Sequence, residues 1–227
     1  MFAVIFEVHP KAEQYDTYLS IAKSLRPESE QVAGYIENIR YRSLTRDGWI
    51  LSLSIWKDEK ALIRWRTKAN HHKAQEEGRT HLLTNYHLRV GQITEDTRLR
   101  MENSMFKQRH DETEVGSGTT VTLVNAAQPP ELIKQSSPEE IGKNLGLSLN
   151  ANDLVTWDVF EAVLTPGDSI LLCSWWTKAA AEDFEKATNL PESARIRRVL
   201  VIRDYGMFDR REAPQYYPDA EGAKTIH

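Results

Sequence analysis

GWILSLSIW, residues 48–56, and GDSILLCSW, residues 167–175, carry the same punctuation at a fixed distance. In each, a glycine stands eight residues before a tryptophan, and 167 − 48 = 175 − 56 = 119. The same offset carries Tyr41 to Phe160, Ala61 to Ala180, Trp65 to Phe184 and Pro10 to Pro129. It also lays FAVIFEV (2–8) on VTLVNAA (121–127). Large apolar residues that match at one spacing mark an internal duplication.

Each unit can be drafted from local chemistry. FAVIFEV is a short run rich in strand formers. Pro10 fits the first turn of a helix running to about Leu25. YIENIRYRSL and GWILSLSIW predict a hairpin around the Asp47-Gly48 turn. In its second strand Leu51, Leu53 and Ile55 share one face, and Ser52 and Ser54 the other. A helix over 57–79 follows, with Asp58 as N-cap. Leu62, Trp65, Ala69 and His72 fall on one stripe of it. Tyr86 to Ile93 reads as a closing strand.

The order β-α-β-β-α-β is the ferredoxin-like motif. The second unit repeats it, with a first helix broken at Ser136, Ser137 and Pro138 and a second stopped at Asn189 to Pro191. The expected class is α+β: tandem ferredoxin-like modules forming an intrachain dimeric α+β barrel. The expected divisions are a first domain over 1–97, a linker over 98–118 ending in a flexible GSG, a second domain over 119–209 and a C-terminal arm over 210–227. The arm is expected to dock through Tyr216 and Tyr217 before a disordered end. Pairing follows from hydrophobicity. Such a sheet has helices on one face, and a bare apolar face costs roughly 25 cal/mol per Å². Trp56, Trp157 and Trp175 are expected on those bare faces.

Bulk chemistry narrows the function. The net charge is −4, with acids and bases interspersed, which argues against nucleic acid as a partner. No apolar run reaches the ~20 residues of a membrane span. The N-terminus lacks the basic start of a signal peptide. Cys173, the single cysteine, sits in ILLCSWW and reads as a buried small hydrophobe. A cytoplasmic protein is expected, either a monomer with an internal pseudo-dimer or a homodimer.

The segment W56-KDEKALIR-W65, then H71-HKA-Q75-EEG-R79 and Y86-HLR-V90, resembles the antibiotic biosynthesis monooxygenase family. The closing DYGMFDRREAPQYYP (204–218) is similar to the C-terminal arm of its members. The resemblance is better over residues 1–95 than over 119–217. It implies a dimeric α+β barrel. In its best-known enzymes it implies oxidation of polyketide anthrones to quinones by O₂ without metal or flavin. Trp65 matches the family's pocket tryptophan, and His71 the histidine of its H-x-x-A-Q pattern.

The candidate catalytic residues are Trp65, His71, His72 and Asn38. Glu7, Arg40, Gln75 and Trp56 are candidate substrate-binding residues. A neutral imidazole, His71 or His72, can deprotonate a phenol. Asn38 and Arg40 share a strand face, where an amide can donate to an oxyanion and a guanidinium can stabilise a phenolate. Each also has a plain structural reading: Trp65 as core, the histidines as helix-end residues, Arg40 as a solvated strand position.

No zinc spacing is present, so no metal is expected. The resemblance also includes haem-degrading relatives, whose proximal histidine falls at Gln75 here and whose first-strand asparagine falls near Glu7. An amide is a poor iron ligand, which leaves haem, held by His72, as a lesser alternative. The leading expectation is a cofactor-independent monooxygenase using O₂ on a small aromatic or polyketide-like substrate. The alternative is a non-catalytic module that binds a small ligand. The second unit, with Phe184 for Trp65 and nothing for H-x-x-A-Q, is expected to be a structural partner without a site.

Overall fold

The computed structural model describes residues 1–99, 111–191 and 193–217. The first unit is β1 (Phe2–Pro10), α1 (Tyr15–Glu30), β2 (Tyr35–Ser43), β3 (Ile50–Trp56), α2 (Glu59–Arg66), α3 (Ala69–Glu77) and β4 (Leu83–Asp96). The second is β5 (Thr120–Ala127), α4 (Pro130–Gln135), α5 (Pro138–Asn144), β6 (Leu154–Ala162), β7 (Asp168–Trp175), α6 (Lys178–Ala187) and β8 (Arg195–Gly206). The strands close into one barrel, β1-β3-β2-β6-β7-β5-β8-β4. Each unit supplies a four-stranded antiparallel sheet. The seams are a long β4–β8 ladder, from His87↔Gly206 to Asp96↔Arg197, and a short β2–β6 ladder at Tyr41↔Ala162.

The duplicated glycines make the hairpins. Gly48 has φ +73° and Gly167 φ +92°, a region closed to most side chains. The alternation read in GWILSLSIW sorts the faces: Leu51, Leu53 and Ile55 point into the barrel, packed with Leu123, Phe160, Ile170 and Val199 of the other unit. Closing the barrel therefore buries both bare sheets against each other.

Buried arginines cross the barrel interior. Arg89 binds the Glu7 carboxylate and donates to Ser174 Oγ at 2.6 Å. Arg197 donates to Asn125 Oδ1 at 2.6 Å and Glu37 Oε1 at 2.8 Å. Each arginine thus ties the two units with a charge-assisted bond.

Several expectations need correction. Phe2 pairs with Trp56, and Thr120 with Trp175, so the first strands correspond at 120 − 2 = 118, one residue short of the hairpins' offset. A one-residue slip exchanges the faces of a strand; Glu7 therefore matches Asn125, and both face inward. Pro10 ends β1 rather than opening a helix, and α1 runs on through Pro27 to Glu30. Trp56 and Trp175 lie under the helices, where Trp157 packs as well, so these tryptophans are absent from the bare faces, which carry aliphatic residues with Tyr41 and Phe160. The helix over 57–79 is two helices. It breaks at Thr67-Lys68, and a π turn, Gly78–Leu82, follows α3. The GSG stretch is packed: a Cβ on Gly116 would lie 2.7 Å from Asp204 Oδ2. Residues 100–110 of the expected linker and 218–227 of the arm lie outside the described residues. Cys173 is buried, which pushes its thiol up to about 12. No helix among the described residues is long and apolar enough to cross a membrane.

Candidate active site

Between the sheet of the first unit and its helices lies a cavity of about 300 Å³. Its floor is the outward face of the sheet: Val4 and Phe6 of β1, Asn38 and Arg40 of β2, Ser52 and Ser54 of β3, and Tyr86 and Leu88 of β4. The helices roof it with Tyr18, Leu62, Trp65, His71 and Gln75. One wall comes from the other half of the chain, as Arg203 and Tyr205 of β8 with Arg210, Gln215 and Tyr217 of the arm line it too.

The space exists because small and polar residues stand on this floor. At the matching register of the second unit, Asn38 becomes Trp157, Arg40 becomes Val159, Ser52 becomes Leu171 and Ser54 becomes Cys173. Those four pack with Phe184 and Ile141 into a filled core. One layer of side chains thus separates a site from its filled counterpart.

Trp65 and His71 form a stacked pair, rings 4.3 Å apart and 16° from parallel. Trp65 also lies over Trp56 at 6.4 Å, whose Nε1 donates to Ser54 Oγ at 3.0 Å. Trp56 is therefore a buttress behind the cavity and does not line it, contrary to its expected role in binding substrate. His71 Nδ1 lies 3.1 Å from the Trp65 carbonyl, which fixes the proton on Nδ1 and leaves Nε2 as the basic nitrogen. Burial pushes the His71 imidazole down to about 4, so it is neutral at physiological pH. Asn38 Oδ1 accepts from Ser52 Oγ at 3.2 Å, which turns its amide N–H groups to other partners.

His72 is not in the cavity. The break at Thr67-Lys68 resets the helical phase, and His72 is exposed, its ring 6.1 Å from Tyr217 of the arm. His72, the ligand named for haem, is absent from the cavity lining. Glu7 is also misplaced, since it points into the barrel, bound by Arg89 and Arg46. Burial works to raise its carboxyl, but Arg89, Arg46 and His87 outweigh this and hold it below the usual range. Gln75 lines the cavity and accepts from Gln215 Nε2 at 3.3 Å. Trp65, His71, Asn38, Arg40 and Gln75 are thus brought together. No group of three His, Cys, Asp or Glu side chains able to hold a metal occurs among the described residues.

A jasmonate monooxygenase ABM from Pyricularia oryzae is 49% identical over 225 residues, spanning 97% of this chain and 100% of that protein. The chain belongs to the antibiotic biosynthesis monooxygenase family. The family's model matches residues 1–77, which include Trp65, His71 and Gln75. Among solved structures, an antibiotic biosynthesis monooxygenase is similar at 16% identity and a TM-score of 0.37, over 40% of this chain and 97% of that one. A conserved protein from Methanosarcina mazei reaches 23% identity and a TM-score of 0.32, over 33% of this chain and 74% of that one.

Reading the sequence residue by residue missed Ser52, Ser54, Tyr18, Arg66, Arg203, Tyr205 and Arg210 as cavity residues. The serines had a signal. Set at the repeat offset, Ser52 against Leu171 is a polar residue where the copy has an apolar one.

Proposed function

We propose that this protein is a monooxygenase that oxidises a small, largely apolar molecule with O₂ in the first unit's cavity, without a bound cofactor. The observation that carries the reading is the Trp65–His71 pair roofing a cavity floored by Asn38. The near-full-length match to a jasmonate monooxygenase supports it and makes a jasmonate-sized substrate the first to test. The flat faces of Trp65, His71 and Tyr86 also suit the aromatic or polyketide-like ring expected from the sequence.

The proposed chemistry balances without an external reductant. His71 Nε2 takes a proton from an acidified CH₂, and the carbanion adds O₂ to give a peroxide. That peroxide takes the proton back and loses water as the second C–H breaks, so R₂CH₂ + O₂ gives R₂C=O + H₂O. Asn38 donates to the oxygen that carries charge along the way. A base with a pKa of about 4 demands a substrate whose anion is strongly delocalised or held by nearby positive charge.

The test is O₂ uptake with jasmonate, hydroquinones and anthrones, using protein that has been treated with chelator and shows no flavin or haem absorbance. His71→Gln is expected to lower kcat/KM by about 10²-fold or more, within the usual range for a general base. Uptake that survives both His71→Gln and Trp65→Ala would remove this mechanism. Ligand binding without any uptake would favour the non-catalytic module.

A further inference from the structure

The cavity is lined by six arginines, Arg26, Arg40, Arg66, Arg79, Arg203 and Arg210, against one carboxylate, Glu59. Arg26 is spoken for by Glu30. Elsewhere the buried and half-buried guanidiniums are matched: Arg46 and Arg89 by Glu7, Arg195 by Asp96, Arg197 by Glu37, Arg198 by Glu185. Arg66, Arg203 and Arg210 form no ion pair among the described residues. Arg66 keeps a buried Nε with no partner, and Arg203 reaches only the Glu212 carbonyl at 3.4 Å. Arg210 binds the Tyr86 hydroxyl and the Gln215 carbonyl, both neutral.

All three share the cavity lining with one buried side chain. Tyr205 is buried, with the Arg210 guanidinium 5.7 Å from its ring, and the charges of Arg66, Arg203 and Arg210 all act on its hydroxyl. Burial outweighs them and pushes that hydroxyl up to about 12, so it stays a neutral donor. Unmatched guanidiniums beside apolar walls are costly unless an anion completes them.

We propose that the substrate is an amphiphilic anion, an apolar body bearing a carboxylate, whose carboxylate is held by Arg66 from one half of the chain and Arg203 and Arg210 from the other. This rests on the reading that the cavity is the substrate site, and it deepens that reading. The guanidinium fork suits a carboxylate, and the Tyr205 hydroxyl can add a third bond. The apolar body then extends between Phe6, Leu62 and Trp65. The second half of the chain is on this account a specificity element as well as a structural partner.

The test is equilibrium binding by calorimetry with O₂ excluded, so that binding is read apart from turnover. The probes are jasmonic acid with its methyl ester, and decanoic acid with its methyl ester. The acid of at least one pair is expected to bind about 10- to 100-fold tighter than its ester, the scale of one or two charge-assisted bonds. Arg66→Gln and Arg203→Gln should each erode that preference at least about fivefold and leave ester affinity within about twofold. Thermal melts accompany each variant. Removing an unmatched charge should leave the fold intact, and either variant alone suffices if the other fails to fold. Equal binding of acid and ester, no binding by either pair, or a preference that persists in both variants would overturn the proposal. Any of these could still coexist with His71-dependent O₂ uptake. Conversely, a firm acid preference without uptake would sink the oxygenase reading and leave the anion seat standing.

Discussion

Replacing His71 by glutamine should change how stability depends on pH. The imidazole sits under the cavity roof, stacked on Trp65 with Nδ1 held at the Trp65 carbonyl. Burial pushes it from 6.5 down to about 4. Above pH 6.5 the imidazole is neutral in both the folded and the unfolded chain. As pH falls below 6.5 the unfolded chain takes up a proton that the folded chain refuses. Stability is therefore lost as pH falls, and the loss levels off near pH 4. The full window of 6.5 − 4 = 2.5 units corresponds to roughly 3.4 kcal/mol at about 1.4 kcal/mol per unit. At pH 4.5 about 2.5 kcal/mol of it has been lost, and the partial exposure of the ring lowers the expectation to about 1.5–2.5 kcal/mol. Glutamine keeps a donor for the Trp65 carbonyl and cannot titrate. Urea unfolding of both proteins at pH 7.5 and 4.5 gives the double difference, in which shared contributions such as that of Glu7 cancel. The variant should lose about 1.5–2.5 kcal/mol less than the parent on acidification. Equal losses would mean that His71 is solvated, and with that the neutral base under the roof disappears.

Trp65→Ala removes the ring between Trp56 and His71. Because Trp65 is partly buried, the expected cost is about 2–3 kcal/mol, below that of a fully buried tryptophan, and calorimetric unfolding would measure it. Truncation after Asp209 removes Arg210, Gln215 and Tyr217 but leaves β8 complete at Gly206. The melting transition should stay cooperative while KM rises by about tenfold or more, the scale of one lost charge-assisted bond; an unchanged KM would exclude the arm from the site. Ser52→Leu copies the second unit, where Leu171 fills the same position. It should abolish ligand binding in calorimetry and leave stability equal or raised by about 1 kcal/mol through added apolar burial. Retained affinity would show that the ligand lies elsewhere.

The fold was legible because its determinants are local and occur twice. Gly48 and Gly167 need a positive φ, and the alternation in LSLSI fixes which face goes inward. That same period of two put Asn38 and Arg40 on one face, and both line the cavity. Extending a helical stripe from Trp65 to His72 failed for a definite reason. Periodicity holds only within an unbroken helix, and two non-helical residues at Thr67-Lys68 rotate everything after them. Glu7 failed at the other end of the same logic. A carboxylate on a strand of Phe, Val and Ile looks like a cavity residue, yet its parity with Ala3 and Ile5 sends it into the barrel. Arg203, Tyr205 and Arg210 had no local signal, because their place depends on the β4–β8 seam, which joins residues more than 100 positions apart, such as Val90↔Arg203.

That seam explains how two copies of one unit come to hold one site. Once β8 lies beside β4, the outward residues at its end, Arg203 and Tyr205, and the arm that follows it stand over the first unit's cavity. The matching place in the second unit is filled instead. There Trp157, Val159 and Leu171 pack solidly beneath α6, and Arg198 of β8 is bound by Glu185 of that helix. The filled copy packs as a support, while its last strand delivers side chains to the other. If so, the two halves cannot be assigned as catalyst and scaffold. A change at Arg203 should weaken binding of an acidic ligand as much as one at Arg66, although the two residues stand 137 positions apart (203 − 66 = 137).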